Sequence, residues 1–184
     1  MTQFLKGKLP ERIFFTGVPG SRWSGIAQEL EDDRFDISDR NPSRTYQHHE
    51  NNGHLGVYYG TNLEFSPTLN SNILDIPYSG IGCKLHKSHE WAYMLPEIIK
   101  LFSNDWIILI YRNDTDSFDW WKQAGGWSIK YPKYDYYVDD QTMKEHIKNM
   151  NKNILQFAKE QKLTWIEHSK YKDIFLTIYN EKIS

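Results

Sequence analysis

Residues Arg12–Leu30, RIFFTGVPGSRWSGIAQEL, decide the fold. Ile13–Thr16 is a short apolar run that reads as a buried first strand. Gly, Pro and Ser then make a tight turn, and Ser24–Leu30 opens a helix with Ile26, Ala27 and Leu30 on one side. Backbone N–H groups in such a loop, backed by a helix N-terminus, form an anion site whose usual guest is phosphate. Against the phosphate-binding pattern G-x-x-x-x-G-K-[ST], Gly17 and Ser24 fit. Arg22 stands at the second glycine and Trp23 at the lysine. A triphosphate site depends on that lysine, so the loop points to a phosphate-like group of another kind.

Outward from this stretch, strand and helix patterns alternate. From Glu31 to about Asp75 the pattern dissolves into polar residues, and only HLGVYYG (His54–Gly60) has strand-like content. IGCKLH (Ile81–His86) suits a short strand, and Trp91, Met94, Leu95, Ile98 and Phe102 recur at helical spacing, predicting a helix over Trp91–Phe102. WIILIY (Trp106–Tyr111) is apolar on both faces, as a central parallel strand covered by helices should be. Asn113–Asp116 can cap a helix beginning near Ser117, and Gly125-Gly126 ends it. Met143, Ile147, Met150, Ile154 and Phe157 form the stripe of a long helix over Gln141–Gln161; Thr164–Glu167 and Ile174–Tyr179 read as strands. The alternation predicts one α/β domain over residues 1–184, with a central mostly parallel sheet flanked by helices and ligands at the carboxyl ends of its strands.

Composition narrows the function. The chain has 184 residues and a formal net charge of −2, which gives no general attraction to nucleic acid or to a membrane. Its single cysteine, Cys83, cannot form an internal disulfide, and its longest wholly apolar run is far too short to cross a bilayer. With no signal-peptide pattern at the N-terminus, these features predict a soluble, cytoplasmic protein. Aromatic residues make up 15% of a chain of polar mean hydropathy, so some rings should line a cleft while others fill the core.

Three polar clusters follow predicted buried strands: Gly17–Ser24, Lys84–His89 and Arg112–Ser117. In a parallel sheet all three face one edge. They bring together backbone amides, the hydroxyls of Ser21 and Ser24, the cations Arg22, Lys87 and Arg112, and the imidazoles of His86 and His89, a mixture suited to a phosphate or sulfate ester. Plainer readings exist for each: a tight strand–helix connection, an Arg112–Asp116 pair, a helix cap. His86-x-x-His89 with Glu90 also admits a zinc reading, without an assigned third ligand. A histidine at a strand end beside a phosphate site can instead act as general base. His48, His49 and His54 fall in the polar region and read as solvated. The aromatic-basic stretch Trp120–Tyr137 suits a flap over a small acceptor or an adenine ring better than a nucleic-acid platform.

These residues resemble the sulfotransferase superfamily, P-loop-related α/β proteins that use 3′-phosphoadenosine 5′-phosphosulfate as sulfuryl donor. Val18-Pro19-Gly20-Ser21-Arg22-Trp23-Ser24 is similar to the family's V-P-[KR]-S-G-T-T-W cradle, with Gly20 in place of the basic residue and Arg22 two positions on. Lys87-Ser88-His89 before Leu95-Pro96 resembles K-T-H before L-P, in which the histidine is the base; Lys84-Leu85-His86 fits the same pattern. The strand ending at Arg112, followed by Asn113, Asp114 and Asp116, resembles R-[ND]-P-x-D, with Ser117 near a serine position that Trp120 occupies.

The resemblance covers Arg12–Trp121 and implies a three-layer P-loop NTPase-like fold. It also implies a donor cradled by Gly17, Pro19, Gly20, Ser21, Arg22, Trp23 and Ser24, with the 3′-phosphate on Arg112 and Ser117. His89 or His86 would be the base and Lys87 would steady the donor, with no metal required. The acceptor is a small molecule or glycan bearing a hydroxyl or amine. An atypical P-loop kinase or nucleotide-binding protein, and a binding or assembly protein on a degenerate loop, are the alternatives.

Overall fold

The computed structural model of the chain describes residues 9–29, 35–36, 40–48, 54–59, 83–128 and 138–180. Its elements run β1 (Arg12–Thr16), α1 (Trp23–Glu29), β2 (Phe35–Asp36), β3 (Arg40–His48), β4 (His54–Tyr59) and β5 (Cys83–Lys87). A 3-10 turn (Glu90–Tyr93) follows, then α2 (Leu95–Leu101), β6 (Trp106–Arg112), α3 (Asp114–Gln123), α4 (Asp140–Glu160), β7 (Ile166–Glu167) and β8 (Ile174–Tyr179). Six strands form one sheet in the order β2-β5-β1-β6-β8-β7. The β2, β5, β1 and β6 strands are mutually parallel, while β8 runs antiparallel to β6 and to β7.

Alternation along the central strands builds two cores, one on each face. Phe14, Ile107 and Leu109 point to the face covered by α2, α3 and α4. Ile13, Phe15, Ile108 and Ile110 point to the face covered by α1, where Trp23, Ile26 and Ala27 close the layer. Because Trp106–Ile110 of β6 is buried on both sides, it is continuously apolar there rather than alternating. The predicted stripe of the long helix is the buried face of α4, and Asp139 caps that helix by accepting from Thr142 N at 2.8 Å.

Several boundaries differ from expectation for identifiable reasons. The helix expected over Trp91–Phe102 is split at Met94, because Pro96 lacks an N–H and suits only the first turn of a helix that restarts at Leu95. The α3 helix begins at Asp114 rather than near Ser117, since the Asn113 side chain accepts from Thr115 N and Asp116 N. Within the polar region, β4 matches the expected strand, and it pairs antiparallel with β3, whose sequence RNPSRTYQH has no apolar alternation to reveal it. Most of Glu31–Asp75 and the stretch 129–137 lie outside the described residues.

The strand order also fixes where a ligand belongs. From β1 the chain first goes to β2 and β5 on one side, then crosses to β6 on the other. The helices that follow β1 and β6 lie on opposite faces, which opens a crevice at the carboxyl ends of these two strands. The loop after β1 fills that crevice, and Gly20 is where it touches α3. A Cβ at Gly20 would stand 1.8 Å from the Ser117 carbonyl oxygen, and Gly20 has a left-handed φ of 78°. Gly20→Ala is therefore expected to cost about 2–4 kcal/mol of stability. An unchanged urea midpoint for that variant would contradict the close packing of loop on helix.

Candidate functional site

The loop itself is a turn followed by a left-handed step. Ser21 N donates to Val18 O at 3.0 Å across Pro19-Gly20, and with positive φ at the second central residue this is a type II turn. The Ser21 hydroxyl donates to the same carbonyl at 2.7 Å and is fully buried, so it holds the turn together. Gly17 is required by space, because an added Cβ would stand 2.8 Å from Ser21 Oγ and 2.9 Å from Ile110 Cβ. Arg22 then takes a left-handed φ of 59°, and its carbonyl accepts the bond from Ile26 N that starts α1. Ser24 lies in the first turn of α1, and its side chain is outside the described residues.

Two side chains from neighbouring strand ends pin this loop. His89 Nδ1 donates to the Gly17 carbonyl, and the His89 carbonyl in turn accepts from Thr16 Oγ1 at 3.2 Å. A carbonyl only accepts, so the proton sits on Nδ1 and the Nε2 lone pair is left as the basic atom. From the other side, Arg112 Nη1 donates to the Gly20 carbonyl at 3.0 Å. The same guanidinium grips Asp173, with Nε at 2.7 Å and Nη2 at 2.5 Å from Oδ2. Arg112 is thus committed to Asp173 and the loop, not to the Asp116 considered from sequence. The Ser117 hydroxyl donates to the Arg112 carbonyl at 3.3 Å, and Asn151 from α4 donates to that carbonyl at 2.8 Å.

Trp23 occupies the centre of the cluster. Its ring lies 3.9 Å from the His89 ring centroid to centroid, and Lys87 Nζ lies 4.6 Å from the centre of a Trp23 ring. Lys87 and His89 are both buried beneath it. Burial, outweighing the bond to Gly17, lowers the His89 pKa to about 3; positive charge on His146 or Lys87 acts in the same direction.

Arg22 behaves differently from Arg112. Its guanidinium carbon lies 3.7 Å from the Trp120 ring centre and 4.4 Å from that of Tyr171. Trp120 comes from α3 and Tyr171 from the turn before β8, so three separate segments fix the guanidinium plane. That turn is held by His168, whose Nδ1 accepts from Lys170 N and Tyr171 N, each at 3.2 Å. No carboxylate or carbonyl of the described residues bonds to Arg22. Aromatic stacking engages the face of a guanidinium rather than its N–H edge, so among the described residues the Arg22 N–H groups stay uncommitted.

The three sequence clusters therefore meet only in part. Gly17–Ser24, His89 with Lys87, and Arg112–Ser117 do converge on one edge of the sheet. Lys84 and His86 do not reach it, because β5 continues to Lys87. Lys84 pairs with Arg12 at the start of β1 and sits 3.8 Å from Glu11. His86 is fully buried in the sheet, stacked on Phe14 at 5.5 Å, with its pKa lowered to about 3 by burial. The second K-x-H thus places its histidine in the core, which leaves His89 as the candidate base. Nor do His86 and His89 face a common ion: one ring stacks on Phe14 and the other bonds Gly17. Among the described residues no three His, Cys, Asp or Glu side chains group together to hold a metal ion. No described helix is long and apolar enough to cross a membrane.

Sequence reasoning overlooked His146, whose charge from α4 would act on His89, and Tyr93 of the 3-10 turn, which contacts His146. No family model, curated protein or solved structure matches the chain.

The buried imidazoles carry a pH consequence. In the fold His86 and His89 have pKa values near 3 and His146 near 4, against about 6.5 in the unfolded chain. The unfolded chain binds more protons below about pH 6.5, so the stabilisation is complete above that pH and is lost progressively as pH falls toward the folded values. Each histidine is expected to remove about 1.4 kcal/mol per pH unit in this window. Urea midpoints that stay constant from about pH 7 to 5 would contradict the neutral, buried histidines. His89→Ala should also destabilise by about 1–3 kcal/mol, by orphaning the buried Gly17 carbonyl. His89→Asn, whose amide can replace Nδ1–H, should recover most of it; equal loss in both variants would show that the hydrogen bond is not the cause.

Proposed function

We propose that the chain is a sulfotransferase-like enzyme. It binds the phosphosulfate of 3′-phosphoadenosine 5′-phosphosulfate at the carboxyl ends of β1, β5 and β6. The observation that carries this reading is Arg22, a guanidinium clamped between Trp120 and Tyr171 with no acidic partner among the described residues. A planar cation stacked on rings suits the paired oxygens of a sulfate or phosphate. The strand order supports a P-loop-like architecture, with the loop after β1 at the point where the chain reverses across the sheet. Trp23 at the lysine position argues against a triphosphate, while a sulfuryl donor has no γ-phosphate to hold.

The residues fit the two ends of the donor unequally. Arg22, with Lys87 behind Trp23, fits the phosphosulfate. Arg112 and Ser117 are engaged with Asp173, Gly20 and the Arg112 carbonyl, so they fit the 3′-phosphate only if Arg112 exchanges Asp173 for it. When bound, the donor would supply a sulfuryl group to the acceptor's hydroxyl or amine, the sulfur–oxygen bond to its 5′-phosphate breaking so that 3′-phosphoadenosine 5′-phosphate leaves with that oxygen. His89 Nε2 takes the acceptor's proton; an oxyanion seated on Arg22 raises the basicity of that nitrogen.

A second reading, an anion-binding protein without transfer activity, is favoured by a specific observation. His89 is only 6% exposed, the Ser21 hydroxyl is bonded within the loop, and the Ser117 hydroxyl is bonded to the Arg112 carbonyl. Both readings need Arg22, and only the first needs the donor.

Thermal unfolding with 3′-phosphoadenosine 5′-phosphate, set against AMP and against ATP with magnesium, tests the proposal. At a hundredfold excess over Kd the bisphosphate should add about 2.7 kcal/mol, or roughly 5–10 °C in Tm for a chain of this size. Arg22→Gln should weaken its binding by about tenfold or more. Equal shifts with all three nucleotides, or none with the bisphosphate, would remove the sulfotransferase reading.

A further inference from the structure

One short segment holds both arginines of the site. Tyr171, which stacks on Arg22, and Asp173, which grips Arg112, belong to the turn between β7 and β8. The register across the sheet explains the second contact, because Ile174 lies opposite Arg112 and Asp173 is the residue before it. The turn closes on itself. His168 N donates to Ile174 O at 2.8 Å, and Ile174 N donates to Tyr171 O at 3.1 Å.

The buried imidazole of His168 shapes this turn. Its Nδ1 accepts from the backbone N–H groups of Lys170 and Tyr171, as the side-chain oxygen of an Asn or Asp does in a local turn. Two donors on one nitrogen need its lone pair, so the proton belongs on Nε2. That atom faces α1, where Glu29 Oε2 lies 3.4 Å away. The Tyr171 ring lies nearly parallel to the imidazole, 4.9 Å from it at an interplanar angle of 19°. Tyr171 is therefore placed against His168 twice, by its own N–H and by its ring. Helix α1 starts directly after Arg22 and ends at Glu29, so both of its ends meet this turn.

A guanidinium stacked on a ring has no directional bond to fix it, so its place follows the ring. We propose that His168 is a positioning residue of the anion site, setting Arg22 through Tyr171 and Arg112 through Asp173. That this placement raises affinity for 3′-phosphoadenosine 5′-phosphate rests on the donor reading above; the placement itself does not. The two parts of the imidazole can be separated by substitution. His168→Asn keeps an acceptor for the same two N–H groups and loses the ring, while His168→Phe keeps a ring and loses the acceptor. A turn shaped by the lone pair is rescued by the first and not by the second.

The test reads the arginine Nε–H signals of the full chain in NMR, without ligand. Arg22 reports the ring currents of Tyr171 and Trp120, and Arg112 reports its bond to Asp173. His168→Phe should move both signals and weaken binding of the bisphosphate by about fivefold or more. His168→Asn should keep both signals near their parental positions and bind within about twofold of the parent. A residue that only stabilised the fold would lower Tm without moving these two signals together. The ring nitrogens of His168 in the unaltered chain give a check that needs no variant to fold, with the proton expected on Nε2. The proposal is overturned if that proton sits on Nδ1, if His168→Phe leaves both arginine signals in place, or if His168→Asn moves them as far. A parent chain that fails to bind the bisphosphate would instead remove the donor reading, while the arginine signals still decide the role of His168.

Discussion

The imidazole of His89 bonded to the carbonyl of Gly17 is the contact on which the site depends. It ties the end of β5 to the loop after β1, and Arg112 ties the same loop to the end of β6 through Gly20. Held from both sides, the loop can neither swing away from the sheet nor relax its type II turn. The left-handed step at Arg22 follows, and it aims that side chain at Trp120 and Tyr171 rather than at a carboxylate. Two glycines without space for a methyl group are the cost of bringing the backbone this close.

This division of labour separates two arginines that look alike in sequence. Arg112 is a brace, with its donors taken by Asp173 and by the loop. Arg22 is a stacked cation, resting on two rings with no acidic partner among the described residues. A guanidinium paired with a carboxylate and one stacked on rings differ physically: the first has satisfied its hydrogen bonds, and the second has only been oriented. The proposed oxyanion binding therefore falls to the arginine that departs from the familiar loop pattern, while structural support falls to the one that resembles it.

Much of the fold was legible because burial has a period. The α4 stripe, the apolar β6 and the β8 strand could be read directly, since each covers or crosses the core along its whole length. Pro96 hid a break, because a 3-10 turn followed by an α-helix keeps the same apolar spacing as one helix. β3 was invisible, its polar residues giving no alternation. At the site, sequence brought Gly17–Trp23, Lys87, His89 and Arg112 to one edge. It could not tell how far β5 runs, and that single fact sends His86 into the core and leaves His89 at the edge. The pairing of Arg112 with Asp173 joins residues 61 apart in the chain, beyond any local pattern. Tyr93 and His146 meet only because the 3-10 turn packs on α4.

The most direct measurement of this account is the Nε–H signal of each arginine side chain in NMR as 3′-phosphoadenosine 5′-phosphate is added. The Arg22 signal should shift saturably and exchange more slowly with water as its edge takes up an oxyanion. A response confined to Arg112, with Arg22 unmoved between its two rings, would contradict the claim that Arg22 is the anion-binding cation of the site.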